Sequence, residues 1–256
     1  MVSRYFPSEL VLYVAKTGFI SKSTWKDFFF PGGTTRWKNA FWASLLDRGY
    51  FLRHPNPRLH DIYLLNRSSR EVVEYMSGRC VRPPFISQIN HDELLFRGIL
   101  QLSKAGTIES WITESELKSF EQSTYKIESQ GKGIKYPDSI LVLKSESAKA
   151  RLALEMEITQ KDRRRYIQIM SAYSSMRGIE SVIFIVGSKS IREVIESCLK
   201  EIYFPKDKIF VGFIDLKDWQ NSASNSFANL IVSASPLSSF DQNSAIPTNF
   251  QPRIAN

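Results

Sequence analysis

Apolar positions in the first third of the chain recur at helical spacing, in short blocks separated by glycine and proline. Pro7, Ser8 and Glu9 open a predicted helix that runs to about Ala15 and stops at Gly18. Ser23 caps a second, short helix carrying Trp25, Phe28 and Phe29, which Pro31, Gly32 and Gly33 end. Thr34 or Thr35 caps a third, in which Trp37, Ala40, Phe41, Leu45 and Leu46 follow a period near 3.6 until Gly49. Two short apolar runs, 50–53 and 61–65, flank the turn-rich segment His54 to Arg58 and predict a hairpin. A further helix covers 68–76 and ends at Gly78.

Three helices followed by a hairpin is the order of a winged helix, whose third helix enters the major groove while the wing touches the backbone. Arg36, Lys38 and Asn39 are then the groove-facing candidates, and Arg53 and Arg58 the wing contacts. Arg82, Pro83 and Pro84 form a linker, so residues 1–82 make one module.

Beyond the linker the period changes. Asn90 or Asp92 is expected to cap a helix reaching about Leu102, with Leu95, Ile99 and Leu102 on one face and Gly98 inside it. Strands are expected at 108–113, 139–143, 152–158, 181–186 and 208–214, with helices at 161–176 and 190–200, while 114–134 is polar and irregular. A helix, a group of strands and then alternating helix and strand predict an α/β sandwich with a mixed sheet over 83–220. From about Asn221 to Asn256 the chain is rich in Ser, Asn and Pro and reads as a mobile tail.

Charge sharpens the division. Of 34 Lys and Arg and 26 Asp and Glu, residues 1–82 hold 13 and 6, so nearly all of the +8 net charge lies in the first module. That field attracts polyanions, DNA first among them. Two unpaired cysteines exclude a cysteine-rich zinc site and suit a reducing, cytoplasmic compartment. No apolar run is long enough to cross a bilayer, and Glu9 and Lys16 interrupt any signal-peptide core. Gly131-Lys132-Gly133 lacks the spacing of a phosphate-binding loop.

Candidate chemistry gathers in Lys135-Tyr136-Pro137-Asp138, then Leu154-Glu155-Met156-Glu157-Ile158, then Lys161. Glu155 and Glu157 share one strand face, while Leu154, Met156 and Ile158 point to the other. On a solvated edge strand the pair would be surface charge; on a covered strand it needs a cation, and Mg²⁺ (or Mn²⁺) binds through one or two carboxylates. Tyr166 and Tyr173 lie at positions that pack a helix.

These residues resemble the PD-(D/E)xK nucleases. The resemblance makes Asp138, Glu155 and Glu157 the metal-ligand set, with Glu157 standing where the family usually has Lys. It leaves Lys161 as a relocated cation, or the site as a retired one, and places Arg163, Arg164 and Arg165 near a phosphate. The order of the modules, with His91-Asp92-Glu93, the PD pair, LEMEIT and KDRRRY, further resembles the replication-relaxation proteins and the related MobC-type plasmid relaxases. That resemblance implies nicking at a transfer origin, with accessory mobilisation or coupling proteins as partners and no membrane insertion. Glu93 is then a fourth acidic contributor, and His91 a site member or a helix-start residue. The alternatives are a DNA-binding replication or transcription regulator on a degenerate nuclease scaffold, and a nuclease cutting both strands.

Overall fold

The computed structural model describes residues 8–30, 32–77, 80–119, 127–129, 133–144, 150–176, 178–202 and 209–233. Helices α1 (Ser8–Thr17), α2 (Lys22–Thr24, continued by a π-helical turn over Trp25–Phe29) and α3 (Thr35–Asp47) come first. Ser21 caps α2 and Thr34 caps α3, each through its hydroxyl. Strands β2 (Phe51–Arg53) and β3 (Ile62–Leu65) form the hairpin, and β1 (Ile20–Ser21) adds a third strand on the other side of β3. The winged-helix order read from the sequence is therefore present, followed by α4 (Arg67–Ser77). The expected stops at Pro31 and Gly78 and the segment 1–7 lie outside the described residues.

Helix α5 (Ile86–Lys104) leads into β4 (Ile108–Thr113), α6 (Glu114–Ser119) and the small hairpin β5 (Ile127–Ser129) and β6 (Gly133–Lys135). Then come β7 (Ser139–Leu143), β8 (Arg151–Glu157), α7 (Arg163–Ser175), β9 (Ser181–Val186), α8 (Lys189–Glu201), β10 (Phe210–Asp215) and α9 (Leu216–Ser233). The main sheet has the order β10-β9-β8-β7-β4, parallel from β10 to β8 and antiparallel from β8 to β4. The α/β sandwich with a mixed central sheet is thus as the pattern predicts.

Four expectations need correction. The second helix is capped by Ser21 and not Ser23, because the Ser21 hydroxyl is the one that accepts the Thr24 N–H, at 3.0 Å. Helix α5 begins at Ile86 with Phe85 at its cap, so Asn90 and Asp92 lie within it rather than starting it. The polar stretch after Thr113 is partly ordered, as α6 and the β5–β6 hairpin. Residues 221–233 are helix, not tail: Trp219, Ala223 and Phe227 are buried at a spacing of four along α9. From Asn221 on, its other positions are mostly Ser and Asn, so the narrow apolar stripe reads as low-complexity loop in sequence; residues 234–256 lie outside the described residues.

Both faces of the sheet are covered. Leu141, Leu152, Leu154, Met156, Ile183 and Ile185 belong to one apolar cluster with α5, α9 and the winged helix. Ile140, Ala153, Val182, Phe184 and Val186 belong to a second, with α7 and α8. The first cluster runs unbroken from the N-terminal module into the sandwich. Across that junction the rings of Tyr13 and Trp111 lie 6.4 Å apart and those of Phe19 and Phe96 6.3 Å apart, and Lys16 pairs with Glu116 at 3.3 Å. Among the described residues, no helix is long and apolar enough to cross a membrane.

Gly98 is explained by α9. The Trp219 indole lies across it and donates its Nε1–H to the Leu94 carbonyl at 3.1 Å. A β-carbon on Gly98 would stand 2.0 Å from Trp219. Gln101 clamps the kink at Ser222 by bonding the Gln220 carbonyl and the Ala223 amide. Gly98→Ala should therefore destabilise the fold by about 2 kcal/mol or more through overpacking, although alanine favours helix. Urea denaturation followed by tryptophan fluorescence checks this; unchanged stability would contradict the packing described.

Candidate active site

One end of the sheet gathers the chemistry. There β4 ends, β7 begins and β8 ends, because β7 runs antiparallel to both neighbours. The register pairs Ser139 with Leu154, which sets Asp138 beside Glu155. Alternation along β8 then puts Glu155 and Glu157 on the same face as Ala153, under α7. Since β8 is the third of five strands, both carboxylates are almost wholly buried, at 0% and 1% exposure. The edge-strand reading is excluded.

Buried carboxylates need partners, because an isolated buried charge costs far more than a fold can spare. Each has one. Glu155 accepts from the Lys135 ammonium and, at 2.5 Å, from the Tyr173 hydroxyl. Glu157 accepts from Lys161 Nζ at 2.6 Å. Asp138 Oδ2 accepts the Met156 N–H at 2.8 Å and lies 3.5 Å from His91 Nε2. The His91 ring also touches the Met156 carbonyl at 3.1 Å and Asp92 at 3.0 Å.

The protonation states follow. Burial works against Asp138, yet Lys135, His91 and the Met156 N–H outweigh it and hold the carboxyl well below the usual range. Burial pushes Glu155 up to about 7 against the pull of Lys135, with Asp138 and Glu157 adding to the rise. Burial likewise raises Glu157 and Glu114, opposed by Lys161 and Lys118 respectively. Lys135 is kept protonated: burial opposes its charge, and Glu155, Asp138 and Glu157 more than restore it. For His91 burial pulls downward, but Asp138 and Asp92 raise it to about 10, so the ring is an imidazolium at neutral pH.

A cavity of about 540 Å³ opens here, lined by Asp138, Glu157, Glu114, His91, Lys135, Lys161 and Arg165 and closed on the α5 side by Ser87, Gln88 and Asn90. Six of these are reached by adjoining elements: β6 supplies Lys135, the turn before β7 Asp138, β8 Glu157, α6 Glu114, α5 His91, and the loop before α7 Lys161. Of the expected set, Asp138, Glu157, Lys161 and His91 meet. Glu155 does not line the cavity; it faces Lys135 and Tyr173. Glu93 lies elsewhere: its carboxylate accepts from Ser21 and Thr24 of the winged helix, because two residues on from His91 a helix points the other way.

No family model matches the chain, and no curated protein does. Among solved structures it is similar to the restriction endonuclease FokI bound to DNA, at a TM-score of 0.30 and 8% identity, covering 92% of this chain and 47% of that one. The chain thus spans about half the length of that protein. A likeness so loose equates no residue of one chain with a residue of the other.

Lys135, Glu114 and the Tyr173 hydroxyl were not assigned roles from sequence. Lys135 had a visible signal, a lysine three residues before Asp138; Glu114 had none, being brought in by the bond from its N–H to the Asp138 carbonyl at 3.1 Å. Among the described residues, no group of three His, Cys, Asp or Glu side chains is arranged around a common metal position, so the expected trio of ligands does not form as such. Of the expected DNA contacts in the winged helix, Arg36, Asn39, Arg53 and Arg58 are exposed, whereas Lys38 reaches the Lys26 carbonyl at 3.3 Å. Arg163 is tied to Ser197 and Glu201, and Arg164 is exposed.

Two outcomes are expected. Lys135→Met strands Glu155 and should cost about 3 kcal/mol, with Glu155→Gln in the same chain restoring part of it; equal stability of single and double variants in urea would argue against the pairing. His91 is raised above its ordinary 6.5, so its contribution to stability is full below that pH and is lost as pH rises through about 10. The Tm gap between wild type and His91→Gln should accordingly shrink between those values; a gap independent of pH would mean a neutral ring.

Proposed function

We propose that this protein is a metal-dependent DNA endonuclease, with the winged helix holding duplex DNA and the sandwich cleaving a phosphodiester bond. The observation that carries the reading is the meeting of Asp138 and Glu157 with Lys135 and Lys161 on one cavity at the end of β7 and β8. Folding alone favours replacing such buried ion pairs by apolar residues. Two carboxylates on a cavity with room for water fit Mg²⁺ or Mn²⁺, which bind through one or two carboxylates and keep several waters. Asp138 and Glu157 are the residues that would hold the ion; Glu155, turned to Lys135 and Tyr173, would not.

When bound, such an ion polarises a phosphoryl oxygen and lowers the pKa of its water. The chain's own residues do the rest. Asp138 stays ionised at neutral pH, and its place is held by His91 and the Met156 N–H. Lys161 and Lys135 bring positive charge to where an attacked phosphate gains negative charge. Lys135 takes the part of the lysine absent at position 157. Nicking at a transfer origin, as in the relaxases the sequence order resembles, is the specific form proposed.

One observation favours a second reading, a DNA-binding regulator on a retired scaffold: each buried carboxylate already has its own cation, so the charge is closed without a metal. A cleavage assay on supercoiled DNA separates the two. Wild type with Mg²⁺ or Mn²⁺ should nick or relax the DNA, EDTA should stop it, and Asp138→Asn should lower the rate by a factor of about 100 or more, the size of one lost electrostatic contact. Gel-retarded but intact DNA under every metal condition would establish the regulator instead.

A further inference from the structure

Arg163, Arg164 and Arg165 open α7 in three different settings. Arg163 is held by Ser197 and Glu201. Arg164 lies in solvent. Arg165 lines the cavity, and its Nη1 is buried with no hydrogen-bond partner among the described residues. The other charges on that cavity are matched: Glu157 by Lys161, Glu114 by Lys118, Asp138 by His91 and Lys135 by Glu155. Arg165 is the lining cation for which the described residues offer no counter-charge.

Nothing in the folding of the chain accounts for this. A buried N–H left unsatisfied is unfavourable, more so on a charged group. Arg165 also sits in the first turn of a thirteen-residue helix, where the helix dipole disfavours a cation. An anion in the cavity offsets the dipole and gives the guanidinium the counter-charge it lacks among the described residues. A guanidinium presents a planar fork that fits two oxygens of a phosphate. The cavity, about 540 Å³, falls in the range of sites that enclose a small ligand and so admits a nucleotide unit. Thr159 and the Ser87 and Asn90 side chains line the same space with neutral donors.

We propose that Arg165 forms a phosphodiester subsite, binding a phosphate of the nucleic-acid strand that enters the cavity. The inference rests on the reading of this cavity as a nucleic-acid site, but it needs no metal and no cleavage. The sequence placed the whole run Arg163 to Arg165 near a phosphate; the helix turns Arg163 and Arg164 elsewhere and leaves Arg165 on the cavity.

The test is binding in EDTA, with a fluorescently labelled DNA duplex and the matching single strand, read by anisotropy over a range of salt. Wild type is compared with Arg165→Gln, Arg165→Lys and Lys200→Gln. Lys200 is exposed on the last turn of α8 and does not line the cavity, so its loss removes one surface charge outside it. Arg165→Gln should weaken binding about tenfold, which is about 1.4 kcal/mol, and flatten the salt dependence by about one phosphate contact. Arg165→Lys should keep the salt slope, and Lys200→Gln should leave both unchanged. Because Arg165 Nη1 has no partner among the described residues, Arg165→Gln should melt no lower than wild type. Wild-type affinity in Arg165→Gln would overturn the subsite alone, as would a fall in Tm accompanying lost binding, which would assign the arginine to packing. Failure of wild type to bind either DNA would overturn the subsite and the nucleic-acid reading together.

Discussion

The pairing of Lys135 with Glu155 beneath α7 is the constraint around which the sandwich is organised. Strand β8 runs through the middle of a sheet covered on both faces, and its alternation places two carboxylates in the buried layer under α7. A lone carboxylate there would be neutralised or expelled. The β5–β6 hairpin carries Lys135 to one, and the loop before α7 carries Lys161 to the other. Tyr173 adds a hydroxyl from the helix above. Three separate segments are thus drawn to one end of the sheet by the need to balance charge, and the cavity is what lies between them.

Helix α5 connects this end of the sheet to the rest of the protein. At its first turns His91 touches Asp138 and the Met156 carbonyl. On the opposite face Glu93 and Arg97 join Ser21, Thr24 and Asp27 of the winged helix, Arg97 reaching Asp27 at 2.5 Å and Thr24 at 3.1 Å. Further along, Gly98 receives Trp219. One element therefore bears on the cavity, the winged helix and α9, and the apolar cluster beneath it runs into both modules. The winged helix is in this way positioned relative to Asp138 by packed side chains.

Much of this was legible in the chain itself. Helical and alternating periods, punctuated by glycine and by the hydroxyl cap at Thr34, determine the winged-helix order and the main strands, because local backbone preference and one-sided burial act within a few residues. The shared face of Glu155 and Glu157 follows from the two-residue repeat of a strand. The proximity of Asp138 to β8 follows from a short connection between adjacent strands.

What local pattern cannot carry is which partner each buried charge finds. Lys135 and Glu155 are twenty residues apart and Tyr173 and Glu155 eighteen, and only the register of β7 on β8 with α7 laid above brings them together. The same holds for Glu93, which the helix turns from the cavity toward Ser21, seventy-two residues away. It holds too for α9, whose stripe of Trp219, Ala223 and Phe227 becomes a helix worth forming only once Gly98 offers a groove. Propensity and period set the elements; charge balance and close packing, which act between distant segments, decided the site.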